Sequence, residues 1–259
     1  MNKTDVKIAP PYSILGRFYD SLTRQSPRMN RLARRKILGK LLPHLHTVCD
    51  LGCGTGTTAV TLAKAGHKVY AVDASSTQCR NARHKIREAG VTVPVLCADM
   101  RRFRLPEPVD LVICEFNPLN HLARNKDLVV AFQRVARALA PGGRFYFDLN
   151  MQPTYAKYYP VTRWEEHDGF CLITRGGFDA RRREAWLDLD WFVAERQRWR
   201  RYRERIEDTW WTNAEIQAAL LKAGFEGIRS WDGTRIRPPE VKPRRGFDRY
   251  YLARKRTAK

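Results

Sequence analysis

Residues 50–56 read Asp-Leu-Gly-Cys-Gly-Thr-Gly, and no other stretch narrows the possible folds of this chain so far. A short apolar run over 46–51 leads into it, and a run of helical composition over 58–65 leaves it and stops before Gly66. Glycine accepts positive φ and has no side chain, so three glycines at alternate positions allow a tight turn whose backbone approaches a ligand closely. A strand, a glycine turn and a helix in that order begin a parallel sheet with helical crossovers. The dinucleotide-binding pattern G-x-G-x-x-G is not met, because its last place is Thr57. Asp50, two residues before the first glycine, would also repel a pyrophosphate, but it suits a ligand carrying an ammonium and a sulfonium.

The alternation continues downstream. A strand is expected over 68–72, ending at Asp73, then a helix over 77–89, strands over 93–97 and 110–115, a helix over 127–139 and a strand over 143–148. Upstream, apolar residues spaced three and four apart predict an amphipathic helix over 29–42, stopped by Pro43. After Asn150 the period changes to two: runs over 161–166, 170–178, 184–193 and 199–210 alternate aromatic with polar residues and are broken by Asp168-Gly169 and by Gly176-Gly177. Their tryptophans, Trp164, Trp186, Trp191 and Trp199, are expected to form a packing face rather than a ligand cage. Thr212 with Glu215 three residues on predicts a capped helix to Ala223, and strands follow over 227–231 and 247–253. The expected fold is therefore α/β, a doubly wound Rossmann-like sheet with an antiparallel insertion after the fifth strand. The expected divisions are an N-terminal helical cap (1–45), a ligand-binding core (46–150), an insertion over the acceptor site (151–211), and a C-terminal helix and strands completing the sheet (212–259).

Together these stretches resemble the class I S-adenosylmethionine-dependent methyltransferases. Asp-x-Gly-x-Gly-x-Gly after the first strand is similar to their motif I. Asp73 lies 23 residues after Asp50, where a carboxylate can accept from both ribose hydroxyls. Ala98-Asp99-Met100 resembles the adenine pocket, and the stretch from Cys114 to Leu122 leaves the fourth strand at the crevice where open α/β sheets bind ligands. Tyr19-Asp20 and Leu119-Asn120-His121-Leu122 are similar to the small-molecule branch that holds the aminosugar N-methyltransferases and glycine N-methyltransferase-like enzymes. The likeness covers 12–253 in layout and is specific over 48–150. It implies S-adenosylmethionine as donor and S-adenosylhomocysteine as product. The implied donor site comprises Tyr19, Asp50, Gly52, Gly54, Gly56, Asp73, Ala74, Asp99, Met100, Glu115 and Phe116.

Methyl transfer from a sulfonium is an in-line displacement, so alignment and exclusion of water carry most of the catalysis. An amine acceptor needs only to be unprotonated, whereas a hydroxyl must lose its proton, and His121 is the side chain placed to take it near neutral pH. The plainer reading of His121 is a histidine hydrogen-bonded within a helix start. By the resemblance Tyr19 closes over the donor; otherwise it packs the N-terminal helix onto the sheet. Phe116 and Asn117 are expected at the methyl site, and Glu115 is also placed to hold an ammonium of the acceptor. The scattered histidines give no metal-ligand cluster.

Charge bears on the acceptor. The chain has 48 basic and 27 acidic residues, a net charge of +21, with arginines concentrated at 24–36, at 181–205 and in the tail that ends at Lys259. Such an excess suits phosphate-rich partners but also occurs as solvated faces. Asn117-Pro118-Leu119-Asn120 partly resembles the N-P-P-Y/F signature of nucleic-acid base methyltransferases, yet Asn120 stands where a ring would stack on a flipped base. The expected acceptor is thus a small-molecule amine or hydroxyl compound. A nucleic-acid base is the alternative, and a non-catalytic module that binds S-adenosylmethionine is the second. Six cysteines without a Cys-x-x-Cys pair suggest a reduced, cytoplasmic setting. Lys3, Asp5 and Lys7 break up the first residues, and no apolar run is long enough for a membrane helix.

Overall fold

A computed structural model describes residues 6–23, 26–236 and 248–257 and arranges them around two sheets. Lys3, Asp5, Arg24, Phe247 and Lys259, counted above, lie outside the described residues. The chain opens with a short strand β1 (Lys7–Ala9), helix α1 (Leu15–Leu22), helix α2 (Ser26–Leu38) and a 3-10 turn over Leu42–His44. The helix expected over 29–42 thus starts earlier and ends earlier, its last turn giving way to the 3-10 turn that holds Pro43.

Alternating strands and helices follow: β2 (Thr47–Leu51), α3 (Thr57–Lys64), β3 (Lys68–Asp73), α4 (Ser76–Glu88), β4 (Val95–Cys97), β5 (Val109–Cys114), α5 (Asn125–Ala138) and β6 (Leu139–Asn150). A helix absent from the sequence reading, α6 (Gln152–Tyr158), comes next. Then come β7 (Thr162–His167), β8 (Phe170–Asp179), β9 (Glu184–Glu195), β10 (Arg198–Asp208), α7 (Asn213–Lys222), β11 (Phe225–Asp232) and β12 (Asp248–Lys255).

The larger sheet has the order β11-β12-β6-β5-β2-β3-β4, parallel except for β12, which runs antiparallel between β6 and β11. Strand order reverses between β2 and β5, so the crevice at their C-terminal ends is the switch point. Val48, Cys49 and Leu51 of β2 and Leu111, Val112 and Ile113 of β5 are all fully buried, as expected for central parallel strands covered by helices on both faces. Phe132 of α5 packs on Phe145 and Phe147 of β6. Each such ring contributes about 1.5 to 3 kcal/mol through removal from water. The capping box of Thr212 and Glu215 starts α7 as the sequence predicts.

The smaller sheet, β1-β10-β9-β8-β7, is the insertion plus one strand from the N-terminus, β1 pairing parallel with β10. Its inner face carries Phe170, Leu172, Leu189, Trp191 and Ile206, against which α1 lays Leu15, Phe18 and Leu22. The described residues of 1–45 are therefore shared between layers, with α1 on the insertion and α2 contributing Ala33 and Leu38 to the larger sheet's core. The four tryptophans do not form one packing face. Trp191 is buried and Trp186 half-buried, but Trp164 and Trp199 are 67% and 60% exposed. Nor do Gly176 and Gly177 break the sheet, since β8 runs through both. A Cβ at Gly176 would lie 2.0 Å from the Tyr159 carbonyl oxygen, and one at Gly177 2.0 Å from the Trp186 ring. Close approach, not a turn, requires glycine there.

Candidate active site

The glycine turn is tied to β3, with Gly52 and Cys53 both donating their N–H to the Val72 carbonyl at 2.7 and 3.0 Å. Gly52, Gly54 and Gly56 all have positive φ, but they do different work. A Cβ on Gly52 would come within 2.6 Å of Pro118, and one on Gly56 within 3.1 Å of Ala82, so both serve packing of neighbouring segments. Only the Gly54 position is open, its nearest neighbour being Gln78 at 4.0 Å, and it borders a cleft of about 650 Å³. Gly54 also donates its N–H to Asp73 Oδ2 at 2.9 Å, and Ser75 donates to Oδ1 at 2.8 Å. The carboxylate is thereby fixed while each oxygen retains acceptor capacity toward the cleft.

Of the expected donor residues, Tyr19, Gly52, Gly54, Asp73, Ala74, Asp99, Met100, Glu115 and Phe116 line this cleft, as does His121. Asp50, Gly56 and Asn117 do not. Tyr19 reaches it because its neighbour Asp20 docks α1 onto the glycine turn, accepting from Thr55 Oγ at 2.7 Å and from Lys85 Nζ at 2.6 Å. Burial, then the nearby Asp73, pushes the Tyr19 hydroxyl up to about 12, so it stays protonated. The Asp99 carboxylate is gripped by its neighbour Arg101, through the backbone N–H at 2.8 Å and the guanidinium at 2.5 to 3.1 Å. That grip holds it below the usual carboxylate range.

Asp50 lies beneath the turn, with Glu115 and Asp148 close by in a sealed carboxylate cluster. Burial and the Glu115 charge push Asp50 and Asp148 each up to about 7. Glu115 itself is raised by burial, against the lowering pull of Arg34, which reaches in from α2 to form an ion pair with it. Thr58 Oγ donates to the same carboxylate oxygen at 3.2 Å. Glu115 is therefore compensated through Oε2 by the protein's own guanidinium, while Oε1 has no partner within the described residues. Phe116 and Asn117 follow it with φ of +73° and +60°. Such strain costs about 1 to 3 kcal/mol per residue. Asp148 offsets it by accepting both backbone N–H groups, that of Asn117 at 3.4 Å.

His121 sits on the 3-10 turn over Pro118–His121, with its side chain one-third exposed. Its Nε2 is 2.8 Å from Tyr12 Oη, and its Nδ1 is 2.9 Å from Asp208 Oδ1 and 3.0 Å from the Glu207 carbonyl. Tyr159 donates its hydroxyl to the other Asp208 oxygen. Burial alone would lower the imidazole pKa, but the Asp208 charge and hydrogen bonds outweigh it and raise it to about 9. Raised in this way, the ring favours the imidazolium form, which donates from both nitrogens and argues against the expected role of His121 as a base. Tyr12, Asp208, Arg34 and Asp148 escaped the sequence reading. Only the position of Asp148 near the end of a strand beside the switch point offered a signal.

Asn120, in the place of the missing stacking ring, is fully buried. Its amide donates to the carbonyls of Asn150 and Thr209 at 3.1 and 2.6 Å and accepts from Asn150 N at 3.0 Å. It ties the end of β6 to the end of β10 and offers nothing to a ligand. The insertion contributes Arg205, Ile206 and Glu207 of β10 to the cleft, and the N-terminal segment contributes Pro11 and Tyr12. Among the described residues no group of three His, Cys, Asp or Glu could hold a metal ion, and no helix is long and apolar enough to cross a membrane.

Residues 48–143 match the protein family described as "Methyltransferase domain". The chain is 26% identical over 187 residues to the YqeM protein of Bacillus subtilis (strain 168), an alignment covering 71% of this chain and 75% of that one. The next two curated relatives are matched over 57% and 41% of their own length. The dTDP-4-amino-2,3,4,6-tetradeoxy-D-glucose N,N-dimethyltransferase of Saccharopolyspora spinosa is 28% identical, over 71% of this chain and 73% of that enzyme. Among solved structures, an S-adenosylmethionine-dependent methyltransferase from Clostridium acetobutylicum ATCC 824 shares the fold at a TM-score of 0.78 with 21% identity, covering 95% of this chain and 99% of that one.

Proposed function

We propose that the chain is a class I S-adenosylmethionine-dependent methyltransferase whose acceptor is a small molecule methylated on an amine nitrogen, of the kind an amino sugar presents. The observation that carries this reading is the His121–Asp208 pair. With its imidazole protonated near neutral pH, the cleft offers no histidine base for a hydroxyl, whereas an unprotonated amine needs none. The amino-sugar acceptor in the name of the Saccharopolyspora relative is consistent with this choice.

The donor fits the residues present. The open side of Gly54 admits it, Asp73 has acceptor capacity for two ribose hydroxyls, and Ala98 and Met100 offer apolar cover for a ring. When bound, S-adenosylmethionine supplies a methyl carbon on a sulfonium, open to in-line displacement. The chain's residues hold and align. Asp73 and the glycine turn fix the donor end, Phe116, held by its strained backbone, walls the crevice, and Tyr12 and Tyr19 help to exclude water. His121 donates to Tyr12 Oη, which leaves the Tyr12 proton directed elsewhere as a fixed donor for the acceptor's polar groups. Held in line with the methyl carbon, an unprotonated amine would take the methyl group with S-adenosylhomocysteine as the leaving group, and its extra proton would pass to solvent once the cleft opens. Alignment of this kind accounts for up to about 7 to 11 kcal/mol of a barrier.

Incubation with methyl-labelled donor and separated fractions of amine metabolites, hydroxyl metabolites and RNA tests the reading. Label is expected in the amine fraction. Label confined to hydroxyl compounds or RNA would overturn it, and the buried Asn120 argues against the RNA outcome because it leaves no ring to stack a base.

A further inference from the structure

Most of the arginines whose partners are seen are answered by carboxylates. Arg101 and Arg124 share Asp127, Arg205 pairs with Asp188 and Glu207, and Arg175, Arg201 and Arg203 converge on the buried Asp190. The segment that runs from α2 through the 3-10 turn and α3 is poor in acids. Residues 26–68 contain Arg28, Arg31, Arg34, Arg35, Lys36, Lys40, Lys64 and Lys68, and their single acidic residue is Asp50, buried under the glycine turn, while Arg34 and Lys68 pair with Glu115 and Glu107 from outside the segment.

A second cleft, of about 530 Å³, opens within this segment. Arg31, Arg34, Arg35, His46 and His67 line it, and no acidic residue does. Among the described residues no carboxylate pairs with Arg31 or Arg35. His67 Nδ1 donates to the Leu45 carbonyl at 2.8 Å, which fixes the ring in the wall of the cleft. Leu42, Leu45 and Leu62 supply an apolar wall. The size falls within the range of small-ligand sites, and three arginines in one lining suit phosphate oxygens, which guanidinium groups match bidentately.

We propose that this cleft binds a compact phosphate-bearing anion of nucleotide size, and that its occupancy is felt at the donor cleft. The link is Arg34, which lines the second cleft while its guanidinium holds Glu115, a residue lining the first. An anion in the second cleft draws on the same guanidinium. That loosens the hold on Glu115 and on the strand end bearing Phe116 and Asn117, and by linkage donor binding alters anion affinity equally.

Calorimetric titration with inorganic pyrophosphate as the probe, on the full chain, tests both parts. Arg31→Gln/Arg35→Gln should weaken pyrophosphate binding by about tenfold or more, since charge-assisted bonds are lost. Arg134→Gln/Arg137→Gln on α5 removes the same net charge elsewhere and should change it by less than about twofold. Equal loss in the two variants, or no binding to the wild type at millimolar pyrophosphate, would overturn the site. Saturating pyrophosphate should shift S-adenosylhomocysteine affinity about threefold or more in the wild type. An unchanged affinity would overturn the coupling. A short single-stranded RNA that binds through Arg31 and Arg35 where pyrophosphate does not would replace the compact ligand with a polymer backbone.

Discussion

Asp73 spends acceptor capacity of each carboxylate oxygen on the chain itself, and this holds the carboxylate rigid at the cleft, as the proposed receptor of two ribose hydroxyls requires. Asp73→Ala should weaken S-adenosylhomocysteine by about tenfold or more, the cost of losing charge-assisted bonds that alanine cannot replace. Calorimetric affinity within twofold of wild type would remove Asp73 from the donor site. His121 offers a second test at this scale. Its ring should titrate near 9 in a proton NMR pH series, because Asp208 outweighs burial. In Asp208→Asn the opposing charge is gone and burial dominates, so the same ring should titrate lower than in the wild type. A wild-type ring titrating at its ordinary 6.5 would restore it as a candidate base. Residues whose place at the cleft follows from backbone geometry, such as Gly54, or from a fixed spacing to the glycine turn, such as Asp73, were legible in the sequence. Arg34, Tyr12 and Asp208 were not. Each acts through a partner far away in the chain, 81 residues from Arg34 to Glu115 and 109 from Tyr12 to His121, and composition carries no trace of such pairings.

Helix α1 shows the same limit among elements. Its own N-cap, Ile14, makes no side-chain cap, and the free backbone donors of its first turn are satisfied instead from β10. Glu204 accepts from the N–H groups of Ser13, Ile14 and Leu15 at 2.7, 3.2 and 2.9 Å. A carboxylate at a helix N-terminus is also favoured by the helix dipole. Through this cap the insertion positions the helix that carries Tyr19, so the walls of the donor cleft are built by segments nearly two hundred residues apart. Glu204→Ala should speed hydrogen exchange over residues 13–22 and weaken S-adenosylhomocysteine, while amides of β2 and β5 stay protected. Unchanged exchange in α1 would show that packing of Phe18 on Phe170 holds the helix without the cap. Alternation of apolar residues revealed β8 to β10, and spacing revealed α5 and α7. What periodicity could not separate is a glycine at a turn from a glycine under a ring, which is why Gly176 and Gly177 read as a break.

For the molecule as a whole, the buried carboxylate cluster ties stability to pH. Asp50 and Asp148 are raised from an ordinary 3.8 to about 7, chiefly by burial. A raised carboxyl binds a proton in the folded chain that the unfolded chain has already released, so stability falls as pH rises from about 4 to about 7. His121 acts in the same direction over a later interval, since its raised imidazole stabilises the fold below 6.5 and that contribution is lost as pH passes about 9. The carboxylates held low by arginines, Asp99 and Asp190 among them, have the opposite sign, but their transitions lie at and below 3.8 and do not offset the fall. The thermal midpoint should therefore decline from mildly acid to alkaline pH, unlike that of a protein whose acids are all surface-paired. Asp50→Asn removes one of the charges that must be buried above neutral pH. One pKa unit is worth about 1.4 kcal/mol, and a domain of this length shifts by about 2 to 4 °C per kcal/mol, so even one unit realised is measurable. The variant should melt higher than the wild type at pH 8, and the two should converge toward pH 5. A constant difference across that range would mean that Asp50 is already neutral, or fully compensated by Arg34, at every pH tested.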